Sequence, residues 1–549
     1  MIEQPRNSPA RRLLVAAALG SLSGGLCVLC VTPWNVWPLA PIAFAPLFLA
    51  CRQDRYSLGL MSSTSFGLTV LVGCLHYVLP AIHRMAHLSW VVSFLIWMLI
   101  GLSQGLCASL AVLVTQWCCK RYGNGYLVFP ATWVLAEKYL PVMFPWPAAI
   151  LGQAYTPWLQ LAELGGPLLV SAWIVASGVG VGTALAKRRE GLAITAKRLT
   201  PSFALVLVVT GAGQYLKNRA ERAIAQASPL HLGLVQGAHL RSEGNDNRDT
   251  LQRYRQTTLA MVHENPSLDL VIWPESILLA AVPQESLQRQ LQNYVRRDRR
   301  EGFRSEELRV PVLLGLTIAR HSISPAERAA GATSGPRLTN SAVLLSGDGA
   351  VAGQYDKQVL MPIGEAPIRL TVPGLGDWEW IPPVTRYESG PGEGSLRLGA
   401  RAISAAICYE DLLWSHVRTL AHAHNAALLV SLSSDSWFVG EHARDLHFML
   451  ASLRAVENRR YLVRATRDGL SGLVSPTGET VGTLEPHVLA NGVFTAQWMT
   501  QRTSYQALGD APIVLLALLG VALNRVRFRR SPSLQLASVA RALKQRRRI

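Results

Sequence analysis

Charge is what the first 216 of the 549 residues have least of. No Asp, Glu, Lys or Arg occurs in 13–31, 34–51, 57–80, 88–117 or 164–186, and 122–136, 200–216 and 511–524 are shorter apolar runs. Disorder needs low hydrophobicity and abundant charge, and a chain that is 50% hydrophobic and 16% charged excludes it. About 20 apolar residues in a helix cross the hydrocarbon core, so the long runs read as membrane spans. The run 511–524 is short and crosses by snorkelling of its flanks. Eight spans are expected, seven before the middle of the chain and one after it. A cleaved signal peptide is a poor reading of 13–31, because further spans follow at once and no small-residue cleavage site stands out.

Cysteine is equally uneven. Seven of the eight lie in or beside the apolar runs, and residues 217–510 contain only Cys408. A disulfide framework is therefore excluded for that segment, and a lone thiol there reads either as a buried core residue or as a reactive group. Metal-ligand spacing is missing too. His422 and His424 form an HxH, and His442 and His447 lie five apart, but neither pair has the companions a zinc site needs, so both read as solvated helix surface. There is no Gly-rich phosphate loop and no repeat of fixed period.

Basic residues are present in excess, with a net charge of +18, and their placement is a topology signal. Arg6, Arg11, Arg12, Arg52, Arg55, Lys120, Arg121, Lys187, Arg188, Arg189, Lys197 and Arg198 share one side of the expected spans, with the tail from Arg525 to Arg548. Only Arg84 and Lys138 fall on the short opposite loops. The positive-inside rule then puts both termini in the cytoplasm and residues 217–510 outside. That outer segment carries 30 Lys+Arg and 30 Asp+Glu, so the basic excess lies wholly in the membrane-associated parts. Contacts with anionic lipid fit this pattern, and nucleic-acid binding does not.

Within 229–500, short β-rich runs alternate with helical stretches. HLGLVQ (231–236), DLVIWPE (269–275), VPVLLGLTI (310–318), AISAAICYE (402–410), ALLVSLS (427–433) and YLVRATR (461–467) read as buried strands. Hairpin turns show at Gly347-Asp348-Gly349 and Thr477-Gly478. Gly/Pro-rich stretches at 323–337 and 373–396 read as loops, the second long enough for an active-site flap. Three strand ends finish in reactive side chains: Glu275, Lys357 and Cys408. A Cys nucleophile needs a base and an oxyanion partner, and Glu and Lys supply both without metal or cofactor. Singly, Glu275 reads equally well as a helix cap, Lys357 as solvated surface and Cys408 as core. In combination and in this order they point to nucleophilic catalysis.

The order WPE, DK, CYE resembles the nitrilase superfamily. The stretches VIWPES (271–276), KQVLMPIGEAP (357–367), ICYED (407–411), SSDSWF (433–438), LRAVENRRYLVRATRDG (453–469) and SPTGE (475–479) resemble its membrane-bound branch, the apolipoprotein N-acyltransferases. LAPIAFAPL (39–47), WVLAEKYL (133–140), FPW (144–146) and QLAELGG (160–166) extend the resemblance into the membrane half. It implies a transmembrane helical bundle (1–216), an extracytoplasmic nitrilase-like αββα sandwich (217–505), and a last span with a basic cytoplasmic tail (506–549). It also implies Cys408 as nucleophile, Glu275 as general base, Lys357 as oxyanion stabiliser, and Glu365, Tyr409 and Glu410 as active-site support. No cofactor or metal is implied. The implied donor is a phospholipid such as phosphatidylethanolamine, the acceptor a diacylglyceryl apolipoprotein, and the setting a bacterial inner membrane with the catalytic domain on the periplasmic side. The chain departs from the branch after VQG (235–237), at Ser434 and Ser436, at Ile363 and Ala366, and at Arg467-Asp468-Gly469. A membrane-tethered amidase with water as acceptor shares the triad and is the alternative. The uncharged segment 139–162 reads as an interfacial belt with Trp146 and Trp158, or as a ledge lining a lipid entrance.

Overall fold

In the computed structural model, the described residues are 8–529 apart from 124, 141–143, 238–246, 279, 296–307, 321–336, 373–375, 382, 393–395 and 438–439. The expected loop at 323–337, the departures after 237 and the basic tail lie largely or wholly outside them. All eight apolar runs are helical. Pro9–Cys30, Tyr56–Cys74, Trp90–Tyr122, Ala162–Ala186 and Leu192–Gln226 are long and apolar enough to cross a membrane. The other three runs form shorter helices. Residues 34–51 fold as the 3-10 turn Trp37–Ile42, with Pro41 inside it, followed by helix Ala45–Ala50. Each proline removes a backbone donor, so this run cannot continue as one α-helix. Val128–Tyr139 and Ala511–Arg529 complete the set.

Helix packing in the bundle relies on small residues, as expected where lipid offers no hydrophobic drive to associate. A Cβ on Gly20 would lie 1.9 Å from the Ser62 carbonyl oxygen, so the first and third long runs touch backbone to backbone. Trp158, read from sequence as a belt residue, is buried at 3% exposure against Trp37, Tyr155 and Trp173. Trp34 and Trp90 are exposed.

Residues 229–497 form two stacked sheets. The first runs, edge to edge, Leu489–Gln497, Pro229–Gly237, Leu270–Ile272, Val312–Arg320, Arg337–Leu345, Val351–Asp356. The second runs Thr480–Thr483, Gly472–Val474, Leu462–Thr466, Leu428–Ser433, Arg401–Ile407, Leu396–Leu398. Central neighbours in each are parallel, which explains the near-continuous apolar runs of their sequences. Leu232, Ile272 and Leu344 of one sheet meet Ile403, Ala405 and Val463 of the other in a shared core. Helices Asn247–Glu264 and Leu287–Val295 cover the first sheet, and Trp414–Ala423 and Glu441–Asn458 cover the second. The result is a four-layer αββα sandwich. One stretch departs from expectation: the strands Ile368–Val372 and Gly376–Ile381 pair antiparallel where 373–396 was read as loop.

Helix Glu441–Asn458 belongs to both halves. Phe448, Ala451 and Ala455 pack on the second sheet. Leu446, Leu450 and Leu453 join a core that includes Phe44, Trp133 and Trp173 of the membrane helices. At its end Arg459 donates from Nε to Glu163 at 2.5 Å and from Nη1 to Gln160 Oε1 at 2.6 Å. Arg219 reaches the other oxygen of Glu163, and Gln160 donates to the Thr477 carbonyl. Removing Arg459 leaves the buried Glu163 with the half-exposed Arg219 alone and takes a donor from Gln160, a loss of roughly 1–3 kcal/mol. We expect Arg459→Ala to lower the midpoint of thermal unfolding in detergent by several degrees and to speed proteolysis between 217 and 231. An unchanged midpoint would mean that this dock contributes nothing.

Candidate active site

Each sheet delivers reactive groups at the end of a strand. After Leu270–Ile272, Trp273 still donates to the Leu313 carbonyl, and the chain then turns through Glu275 and Ser276 (φ 47°). This turn rests on Gly315, whose N–H donates to the Pro274 carbonyl while its own carbonyl accepts from Ile277. A Cβ at 315 would sit 2.5 Å from the Glu275 Cα, so only glycine permits the approach. Lys357 directly follows Val351–Asp356, and its N–H donates to the Asn340 carbonyl at 2.8 Å. Cys408 directly follows Arg401–Ile407 and adopts a left-handed φ of 52° at the start of the 3-10 turn Cys408–Leu412. Such a conformation costs of order 1–3 kcal/mol for a residue with a Cβ, and the surroundings of this turn must hold it.

Side chains converge from both sheets. Asn340 donates from Nδ2 to Glu275 Oε1 at 2.6 Å and to Glu365 Oε1 at 3.0 Å. Glu365 Oε2 receives Lys357 Nζ at 2.6 Å and the Met361 N–H at 2.9 Å. Glu275 Oε2 is buried and finds no hydrogen-bond partner among the described residues. Glu410 reaches across the sheets. Its Oε1 accepts from the Tyr355 hydroxyl and from the Gln358 and Val359 N–H groups, and its Oε2 from the Ile407 N–H. One carboxylate thus fastens the end of the lysine strand to the turn that carries Cys408. The sequence-derived residues Glu275, Lys357, Glu365, Cys408 and Glu410 form one buried cluster, with Tyr409 beside Cys408 in the wall of a cavity.

Burial pushes the Glu275 carboxyl above its ordinary range; Lys357 opposes this and Glu365 adds to it. Burial, then Glu275, pushes the Cys408 thiol up, against the pull of Lys357. For Lys357 burial favours the neutral amine, but Glu365, Cys408 and Glu275 outweigh it and keep the ammonium. Burial likewise opposes ionisation of Glu410, and His416, Lys357 and the backbone donors overcome it. The resting site is therefore a neutral thiol, a carboxyl with raised proton affinity and a fixed cation. Such a set could pass a proton from sulfur to a carboxylate and offer positive charge to an oxyanion.

A cavity lies beside Cys408, with about 570 Å³ of non-atom space that includes open solvent at its mouth. Its walls are apolar. Leu75, Tyr77, Phe144, Pro145 and Trp146 come from the membrane half, and Met361, Tyr409, Leu412, Leu446 and Leu450 from the sandwich, with Cys408 at its inner surface. Phe144, Pro145 and Trp146, part of the segment read as belt or ledge, line the same cavity as Cys408.

Sequence reasoning missed four features. Asn340 was visible only as a polar residue opening the apolar strand TNSAVLL. Gly315 gave no signal beyond a glycine inside a strand. His442 is half-buried and stacked on His76. His447, read as solvated, is buried and lines the cavity. Among the described residues no group of three or more His, Cys, Asp or Glu could hold a metal ion.

Two family models match this chain: the apolipoprotein N-acyltransferase N-terminal domain over residues 23–180, and carbon-nitrogen hydrolase over 231–498. A protein named apolipoprotein N-acyltransferase from Azotobacter vinelandii is 28% identical, covering 93% of this chain and 96% of its own length. One of the same name from Geobacter metallireducens is 29% identical, covering 86% and 87%. An amidase from Nesterenkonia sp. aligns at 19% identity and TM-score 0.35 over 52% of this chain and 94% of its own.

Two outcomes follow from the geometry. Gly315→Ala displaces Glu275, and because a shift of about 1 Å in a reacting group can cost some 100-fold, turnover should fall on that scale with little change in thermal midpoint. Wild-type turnover in Gly315→Ala would contradict it. Asn340→Ala removes a hydrogen bond that favours the ionised Glu275. The acid limb of Cys408 alkylation by iodoacetamide, followed by peptide mass spectrometry, should therefore move to higher pH; no movement would uncouple Asn340 from the base.

Proposed function

The chain belongs to the apolipoprotein N-acyltransferase family, the membrane-bound branch of the carbon-nitrogen hydrolases, and from that premise we propose how it acts. It transfers a fatty acyl group from a phospholipid to the N-terminal amine of a diacylglyceryl-cysteine on a lipoprotein. The observation that carries this reading is the apolar cavity, built jointly by the membrane half and the sandwich, with Cys408 at its inner surface. A small polar amide gains nothing from such walls, whereas an acyl chain gains about 0.8 kcal/mol for each buried methylene.

The reaction runs in two halves. Glu275 Oε2 takes the Cys408 proton as sulfur attacks the ester carbonyl, and Lys357 with a backbone N–H stabilises the oxyanion. The ester C–O bond breaks, Glu275 returns the proton to the glycerol oxygen, and lysophospholipid leaves. The acceptor amine then attacks the thioester and gives its proton to Glu275. The C–S bond breaks, and Cys408 regains its proton. Glu365 holds Lys357, Glu410 holds the cysteine turn, and Tyr409 shapes the cavity wall. Ping-pong kinetics follow from the shared acyl-enzyme. Phosphatidylethanolamine is the donor we favour. The distribution of Lys and Arg supports a bacterial inner-membrane protein with the sandwich on the periplasmic side and both termini in the cytoplasm.

Intact mass of the detergent-solubilised protein after incubation with phosphatidylethanolamine tests the first half-reaction. One hydroxylamine-sensitive fatty acyl adduct is expected on the wild type and none on Cys408→Ala. Release of lysophospholipid without any acylated amine, when a diacylglyceryl-cysteine peptide is supplied, would favour an amidase-like hydrolase that uses water.

A further inference from the structure

The turn that carries the nucleophile has a second carboxylate, and it points away from Glu410. Asp411 is buried and accepts from the Ser431 hydroxyl at 2.6 Å, from His447 Nε2 at 2.9 Å and, at 3.5 Å, from Arg464 Nε. The other ring nitrogen of His447 meets Asp435 Oδ1 at 2.9 Å. Arg464 donates from both terminal nitrogens to Asp435, at 3.0 and 3.1 Å, and to the Ser433 hydroxyl. Two carboxylates and two cations thus close a ring that no part of the proposed reaction uses. All four side chains are buried, and the ring of His447 shares the cavity wall with Cys408.

We propose that His447 is a positioning residue for the acyl transfer: as an imidazolium bridging Asp411 and Asp435, it neutralises the carboxylate pair beneath Cys408 and fixes the cysteine turn. Four elements face it. Asp411 and Cys408 come from the turn, Asp435 from the end of Leu428–Ser433, Arg464 from Leu462–Thr466, and Arg444 lies on its own helix. A histidine with both nitrogens on carboxylates donates from both only when protonated, so the geometry itself selects the cation. Burial and Arg464 act to lower its pKa, but the two carboxylates prevail and raise it to about 9. Asp435 already disfavours the Cys408 thiolate, and Arg464 and Cys408 feel one another's charge. Without the imidazolium, the pair would carry one uncompensated negative charge beside the sulfur. Negative charge there opposes thiolate and oxyanion alike, which is the reverse of what Lys357 supplies.

The inference rests on the acyl-transfer reading for its role in turnover, but the charge at Cys408 can be read without any lipid. In the full-length detergent-solubilised protein, Cys408 alkylation by iodoacetamide should be roughly fivefold or more slower in His447→Gln than in wild type at pH 7.5, as expected for an added unit charge at a partly buried site. The wild-type rate should lose its normal rise with pH near 9, where the ring deprotonates, and the variant should show no such break. Acylation from phosphatidylethanolamine should fall in parallel, in kcat more than in KM, because glutamine keeps a side chain of similar reach in the cavity wall. Equal alkylation rates in the two proteins, or a break near pH 9 that persists in His447→Gln, overturn the proposal. If His447→Gln does not fold, a wild-type profile that rises smoothly from pH 8 to 10 overturns it alone. Slow alkylation in the variant alongside a wild type that never takes up an acyl group would retain the electrostatic role and reject the acyl-transfer reading instead.

Discussion

The carboxylate of Glu410 accepts from Tyr355, Gln358, Val359 and Ile407, and every one of those donors lies within two residues of Lys357 or Cys408. Lys357 sits between two of them and Cys408 follows the last. Elsewhere the two sheets meet mainly through apolar side chains, with Ser471 donating to Gln236 and Arg467 to the Ser276 carbonyl. A fully buried charge tolerates no sliding, because each lost donor leaves it partly unsatisfied at a cost of about 1–3 kcal/mol or more. The left-handed backbone of Cys408 is affordable only because Glu410 on one flank and Asp411 on the other pin its turn. Everything reactive is referenced to that pair.

How much of this was legible in the sequence depended on distance along the chain. Glu275, Lys357 and Cys408 end runs of buried strand, and the strand pattern could be read locally, so their convergence followed from the α/β alternation. Glu365 and Glu410 were reached only through motif resemblance, since a carboxylate in a turn carries no local mark of its partner. Asn340 touches groups 65 and 25 residues away, and nothing in TNSAVLL shows that. His447 was misread for a related reason. The helix Glu441–Asn458 looks amphipathic and rich in charge, and charged helices are usually solvated. Here both faces are covered, by a sheet on one side and by membrane helices on the other. Its Arg454, Glu457 and His447 are buried because each finds a partner.

The membrane half was legible as apolar runs but not as architecture. Charge-free length predicts a helix, and it does so for all eight runs. It does not tell which tryptophans face lipid, because Trp158 and Trp90 sit in equally apolar sequence while one is buried and the other exposed. Prolines at 38, 41 and 46 mark where the second run turns back into the bundle. The same logic bears on 144–146, where Pro145 and Pro147 flank Trp146. A proline-rich, uncharged segment cannot form a regular helix, and its apolar side chains settle over the sandwich as the cavity wall.

A dry site changes what the cysteine must be. In many thiol enzymes the nucleophile rests as thiolate beside a cation, ready but exposed to water and oxidant. Here burial raises the proton affinity of the Cys408 thiol and of the Glu275 carboxyl together, and Lys357 opposes the rise at both. Glu365 anchors Lys357 at 2.6 Å, and the surrounding acidic groups keep the buried ammonium charged. The arrangement trades resting reactivity for selectivity, because the apolar walls that raise both proton affinities also exclude water. Under the proposed acyl transfer, a thioester at Cys408 would be walled off from bulk water, which is the condition for attack by an amine to outrun hydrolysis.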